Sequence, residues 1–389
     1  MRIKTKYTIA KTILVLAIVF NVALPKGGVA IANTPITWGY IIIFLVIGYS
    51  LIKGLSIKKI NKLKAQAFIC ILPFIFYFIA YLFYVEEYPP IGYLFSAILN
   101  FVIFPIIFLL FFDKTLKYIL KNNAFFSKII LRCILFLSLF GIFLFIYKIK
   151  TGVAFEIPYL TVNIKDYGLL NSKHNNRGNG IFKLVSTYAN GNIFGLCMFF
   201  LLPFAKNHKN HKILLKIAMV LTLSRTVWAG LVIYEIISYR KHIVKMLYIG
   251  LVVLLTIFLF MVFVLDRDIS YIFDPSLGGR LKGNGIALSL FFNGKVFYGI
   301  SEMTYKDILE QMGLIGLLFF VLQVFTPVIL SFQRGIENLN ENQQQLRIGV
   351  LTYLIVAFID GAYLYIPVCL FLWFSSSYII TSKITEDSK

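Results

Sequence analysis

Acidic side chains are scarce in this 389-residue chain: 17 Asp and Glu stand against 38 Lys and Arg. Charged residues of both signs make up 14%, about half the share in a soluble domain. That leaves too little polar surface to cover a water-soluble fold. Histidine is rarer still, at 4 residues. His174 stands alone, and His208, His211 and His242 fall in basic clusters. With no carboxylate cluster and no zinc-like spacing, no metal or other cofactor is expected. The cysteines Cys70, Cys133, Cys197 and Cys369 lie inside apolar runs without ligand spacing. Core packing is their better reading than zinc or a disulfide framework. No Gly-rich loop ends in Lys-Ser/Thr, and no His-Glu-x-x-His occurs, so ATP-driven transport and zinc proteolysis find no support.

What is present is apolar length. The chain is 59% hydrophobic with mean hydropathy +0.83, and it carries 39 Phe and 23 Tyr. These values describe an integral membrane protein. Apolar spans are read near 12–32, 34–52, 66–85, 91–112, 129–147, 183–204, 246–265 and 308–331, and 348–380 is long enough for two short spans turning near Gly361–Pro367. The first segment is too long for a removed signal peptide and lacks a small-residue cleavage site, so it reads as an anchor.

The excess of +21 charges is mostly topology. Basic residues cluster at 2–11, 53–64, 114–132, 206–216 and 240–245, whereas the linkers 25–33 and 85–90 hold one, Lys26. The positive-inside rule turns the rich clusters to the cytoplasm and the poor linkers outward. No nucleic-acid partner is needed to explain the charge. The stretch 213–239 has basic flanks on both sides. A tight helix pair turning near Leu223-Ser224-Arg225-Thr226 returns the chain to the inside, at the cost of short helices and local thinning or re-entrance. A single long span is the alternative. The expected fold is an all-α polytopic membrane protein with about twelve transmembrane helices and both termini cytoplasmic. Residues 1–389 form one integral membrane domain, with long external loops at 148–182 and 266–307.

Few residues in this setting can carry chemistry. Arg225 sits in the apolar run 219–230, where a charge is costly unless it snorkels, pairs or lines a wet cavity. It reads either as an interfacial Arg beside Trp228 or as an anion contact, for which the planar guanidinium fork is suited. The second loop holds Arg280 and Lys282 among glycines, and then Glu302, the best acidic candidate for activating a hydroxyl or orienting an Arg. The bland alternatives are a solvated loop there and a helix cap at Glu310. The first loop holds Arg177 in an Asn/Gly-rich stretch, followed by Asn190 and Asn192, which can break a helix and expose backbone donors.

The order of these elements resembles the O-antigen polymerase (Wzy) and O-antigen ligase superfamily. The segments are "RGNGIFKLVSTYANGNIFG" entering a span, "LTLSRTVWAG", then a long loop with "GGRLKGNG" and "FNGKVFYGISEMTYKDILEQMGLIG". Ligases of that superfamily carry a histidine shortly before the late Gly-rich span, which here holds Glu310, Gly313 and Gly316. Residues 266–307 contain no histidine, which favours the polymerase. The resemblance implies a glycosyltransferase joining undecaprenyl-pyrophosphate-linked oligosaccharide repeat units at the periplasmic face of the bacterial inner membrane, with release of undecaprenyl pyrophosphate. It implies catalytic roles for Arg225, Arg280 and Glu302, and substrate contacts from Arg177, Asn190, Asn192, Lys282 and Tyr305. A chain-length regulator and a flippase are the implied protein partners. A ligase acting on lipid A-core and a lipid-linked glycan flippase are the alternative functions.

Overall fold

A computed structural model describes residues 11–31, 34–54, 61–171, 175, 182–238, 289–300, 302–333 and 339–381. Helix α1 (Lys11–Ala23) runs into an antiparallel hairpin, β1 (Gly28–Ile31) with β2 (Thr34–Thr37), in which Gly28 faces Thr37. There follow α2 (Trp38–Gly54), α3 (Lys62–Tyr84), α4 (Ile91–Phe111), α5 (Asp113–Lys121) and α6 (Asn123–Thr151). The second half holds α7 (Gly191–Leu201), α8 (Lys209–Val220), α9 (Arg225–Ser238), α10 (Thr304–Gln333), α11 (Glu341–Val356) and α12 (Ile366–Ile380). Among the described residues, α3, α4, α6 and α10 are long and apolar enough to cross a bilayer. The chain is thus a helical, membrane-embedded protein.

Four expected spans, 66–85, 91–112, 129–147 and 308–331, coincide with those four helices. The stretch 213–239 is two helices, α8 and α9, parted by a turn at 221–224. The stretch 348–380 likewise divides into most of α11 and all of α12 around a turn at 357–365. Two readings need correction. Residues 28–37, expected inside the first two spans, form the hairpin, because Pro25, Gly27 and Gly28 stop α1 and β-branched residues follow. Apolar content alone does not separate a short strand from a helix. Residues 183–190, expected to open a span, are non-helical. Helix α7 begins only where the Asn190 side chain accepts from Ile193 N at 2.9 Å. The expected span 246–265 lies outside the described residues.

The helices sort the chain into two ends. At one, the Gln343 amide donates to the carbonyls of Tyr378 and Thr381, and Asn61 donates to Ile380 O. Tyr378 and Asn342 both donate to Asn123 Oδ1. This end gathers the described members of the basic clusters at 53–64, 114–132 and 206–216, so it is called the basic end. The hairpin and the segments 85–90, 152–171, 182–190, 289–300 and 302–303 occupy the other, or loop, end. There Trp38 Nε1 donates to Tyr159 O at 2.7 Å, and Phe297 N donates to Glu87 O at 2.9 Å. Lys26, in the turn before β1, lies near Asp166 and Glu156, and burial lowers its pKa more than those carboxylates raise it.

Two irregular helices position the loop end. In α4, residues 99–103 wind as a π-helix, so Phe104 N donates to Leu99 O rather than to Asn100 O, and Pro105 has no N–H to give the Phe101 carbonyl. Trp373 Nε1 donates to Asn100 O at 3.2 Å, and the fully buried Gln323 donates to Phe101 O at 2.9 Å. Helix α10 is broken at Gly313, whose φ of 72° is left-handed. A Cβ there would lie 2.0 Å from Phe291 O. Both new helix ends are satisfied: Leu314 N and Ile315 N donate to Ser289 O and Leu290 O, while Gln311 O accepts from Asn293 N and Met312 O from Tyr77. The glycine of the Glu310–Gly316 pattern thus docks the 289–293 segment.

At the basic end, the fully buried Lys64 ammonium lies 2.8 Å from Asp113 Oδ1, and Lys117 lies 2.7 Å from Oδ2. Burial alone would raise the Asp113 carboxyl, but the two ammonium groups outweigh it and hold the carboxyl below the ordinary range. Replacing Asp113 with Asn leaves a buried cation without its counter-charge. We expect Asp113→Asn to cost about 3–5 kcal/mol and Lys117→Ala under about 1 kcal/mol, read as thermal midpoints in detergent. A depressed carboxyl pKa stabilises the fold above its unfolded value and ceases to do so as pH falls through its folded value. The gap between parent and Asp113→Asn should therefore hold at neutral pH and close only in acid.

Candidate functional site

The polar residues of the loop end converge from four non-adjacent segments. Residues 182–190 pack on the end of α1, where Thr187 donates to Ala23 O and Tyr188 to Val22 O. Leu184 N donates to Leu221 O, which joins this segment to the turn before α9. Gly191 sits so close to that turn that a Cβ would lie 3.1 Å from Thr222 O. The turn after α11 closes the group: Asn192 Nδ2 donates to Asp360 Oδ2 at 2.7 Å, and Gly361 N donates to Glu302 O at 2.6 Å. Tyr353 donates to Gly361 O at 2.8 Å.

A buried charge chain runs through this locus. Lys183 Nζ lies 3.5 Å from Asn192 Oδ1, and the amide's other side holds Asp360. Lys183, Asn192 and Asp360 are all buried, Asp360 completely. The amide can face only one way, since an ammonium only donates and a carboxylate only accepts. Thr304, at the start of α10, is buried beside Gly361, where a Cβ would lie 2.4 Å from its Oγ1. Among the described residues no three of His, Cys, Asp and Glu group as a metal-ligand set.

Helix polarity at the locus is mixed: α7, α9, α10 and α12 start there, while α8 and α11 end in the turns at 221–224 and 357–365, so positive and negative helix poles lie side by side. Arg225 is the first residue of α9, half-buried, behind Ser224, whose hydroxyl accepts from Val227 N at 3.4 Å. Helix α9 packs along α11 with Gly230 against Val356, which carries Arg225 toward the turn 357–365. Three non-glycine residues hold left-handed backbone in these segments: Ser186 (φ 52°), Leu223 (φ 51°) and Ala362 (φ 44°). Such conformations cost on the order of 1–3 kcal/mol each and persist where the surroundings impose them.

The structure therefore brings Asn190, Asn192, Arg225 and Glu302 to the same end of the bundle. Their environments differ. Asn190 caps α7 with its side chain, and Asn192 orients Asp360. Arg225 and Glu302 are half-buried at its margin. Tyr305, read as a substrate contact, is buried: its ring stacks on Phe358 with centroids 4.1 Å apart, and its hydroxyl donates to Leu354 O. It braces α10 against α11. Arg177, Arg280 and Lys282 lie outside the described residues. Lys183 and Asp360 were missed in the sequence. Asp360 did carry a signal, as the only charged residue between Arg347 and Lys383, a position that membrane chains rarely fill without purpose.

Comparison with protein-family models, with curated proteins and with solved protein structures finds no match. The site must be judged on its own chemistry. We expect Asn192→Leu, which keeps the volume and removes the bridging amide, to destabilise the protein by about 1–3 kcal/mol for each polar partner lost, measured by thermal unfolding in detergent.

Proposed function

We propose that the chain is a surface-polysaccharide polymerase of the O-antigen polymerase type, joining undecaprenyl-pyrophosphate-linked repeat units. The observation that carries this reading is the placement of Arg225, at the start of α9, in one polar locus with carboxylates at the end of the bundle opposite the basic clusters. By the positive-inside rule the basic end is cytoplasmic, and the locus then faces the periplasm of a bacterial inner membrane.

The chemistry needed there is modest. An acceptor hydroxyl of one lipid-linked repeat attacks the anomeric carbon of another. Its proton passes to a carboxylate, for which Glu302, half-buried at the margin, is the reachable group. The new C–O bond forms as the bond from the anomeric carbon to the pyrophosphate oxygen breaks, and the electron pair leaves on undecaprenyl pyrophosphate. Arg225 stabilises the charge that gathers on that leaving group, and helix N-termini favour the same anion. Asp360 is too deeply buried to touch a substrate. It holds Asn192 and, through it, Lys183, and so fixes the floor of the site. Arg280, Arg177 and Lys282 belong to the same proposal as further phosphate and sugar contacts. A flippase supplying repeats and a chain-length regulator are the partners this activity calls for.

The test is purified protein in liposomes with a defined lipid-linked repeat, read as a ladder of extended lipid-linked glycans. Arg225→Ala should slow extension about 10²–10³-fold, and Glu302→Gln about 10²-fold or more, at matched protein levels. Extension by Arg225→Ala at the parental rate would remove Arg225 from the site. Transfer of one finished glycan without a ladder would point to a ligase instead.

A further inference from the structure

Three exposed tyrosines from three separate elements gather at the margin of this locus. Tyr93, in the first turn of α4, is 52% exposed; Tyr298, in the loop before α10, is 80%; Tyr365, at the start of α12, is 45%. A Cβ on Gly299 would lie 3.5 Å from the Tyr93 ring, so that ring lies over the 298–299 peptide. Tyr365 follows Leu364, whose carbonyl accepts from Ser96 at 2.5 Å, one turn of α4 beyond Tyr93. Its phenol is raised first by partial burial and then by Tyr93, Glu302 and Asp360.

The backbones that present these rings are held. Buried Gln311 grips the 298–299 peptide from both sides, accepting from Tyr298 N at 3.1 Å and donating to Gly299 O at 2.7 Å. Ser96 and Asn100 of α4 donate to the carbonyls of Leu364 and Tyr363, which pins the turn before Tyr365. Tyr93 N donates to Pro90 O at the head of α4. Fixed backbone under an exposed aromatic ring is the arrangement a binding surface needs, because little freedom remains to lose on binding. A lipid-facing aromatic belt would place such rings at the bilayer interface. It would not need the backbone of separate elements to be held beneath them.

We propose that Tyr93, Tyr298 and Tyr365 form a glycan platform that seats the sugars of the acceptor repeat next to Glu302. A pyranose offers an apolar C–H face to an aromatic ring and hydroxyls to carboxylates and phenols. The patch has both kinds of partner. The role of the bound sugar as acceptor rests on the proposed polymerase function; the sugar-binding site itself does not.

The experiment uses the full chain in nanodiscs and, as probe, the lipid-free repeat-unit oligosaccharide released by mild acid from the host's lipid-linked pool, titrated by saturation-transfer NMR. Tyr298→Ala and Tyr365→Ala should each weaken binding about tenfold. Tyr298→Phe and Tyr365→Phe, which keep the ring, should stay within about threefold. Lys117→Ala, at the basic end, should bind the oligosaccharide like the parent. Unchanged thermal midpoints in the Phe variants guard against a folding artefact. Ala variants that bind and extend glycans like a ladder-forming parent would overturn the platform and leave the polymerase reading standing. Ring-dependent binding by a parent that forms no ladder would keep the platform and sink the polymerase. A parent that binds no oligosaccharide, with Ala variants that shift only the thermal midpoint in nanodiscs, would make the tyrosines membrane anchors.

Discussion

A polar backbone group inside a membrane has no water to turn to, and every irregularity in this bundle is built around that constraint. The π-helical turn at 99–103 and the proline at 105 leave two carbonyls of α4 without their helical donors, and the side chains of Trp373 and Gln323 replace them. Those replacements come from α12 and α10, so the defect in one helix becomes the joint that fixes three. The break at Gly313 follows the same logic. It opens donors and acceptors in the middle of α10, and the 289–293 segment and Tyr77 take them up. The loop end is therefore tied to the helices at the places where the helices are imperfect.

The same economy governs charge. Asp360 and Lys183 are ionisable groups shut away from solvent, and the Asn192 amide stands between them. Its single allowed orientation makes the chain of contacts directional. Left-handed backbone at Ser186, Leu223 and Ala362 occurs in three of the segments that meet there. Elsewhere among the described residues a non-glycine residue takes such a conformation only at Tyr159. Unfavourable local geometry is thus concentrated around the polar locus, where packing from several directions over-determines it.

Hydropathy and charge made much of this legible. The four long helices, the α8–α9 pair turning at 221–224 and the division of 348–380 follow from apolar length and the spacing of basic residues. That Arg225, Glu302 and Asn192 share one end of the bundle was legible too, since each lies next to a polar break between apolar runs. The hairpin at 28–37 was not, because an apolar β-branched run has no period long enough to separate strand from helix. Nor was the coil at 182–190, whose apolar residues are buried by tertiary packing rather than by a helix. Tyr305 illustrates the limit for sites. Its residue type and its neighbours suit sugar binding, but only the position of Phe358 decides that its ring faces inward. Tyr93 and Tyr365 are the converse, 272 positions apart in the chain and brought together by α4 and the turn after α11.

The division of α10 has a mechanical side as well. A continuous helix is a stiff rod that passes axial load and twist from one end to the other. Here the long shaft after Gly313 lies among the membrane-spanning helices, while the short segment before it carries Thr304 and Tyr305 against the turn at 357–361. A single residue with left-handed backbone divides them, and hydrogen bonds from Leu314, Ile315, Asn293 and Tyr77 clamp the division on both sides. The helix is interrupted without being loosened, so the direction of the segment that meets the polar locus is set by the loop at 289–293 as much as by the shaft.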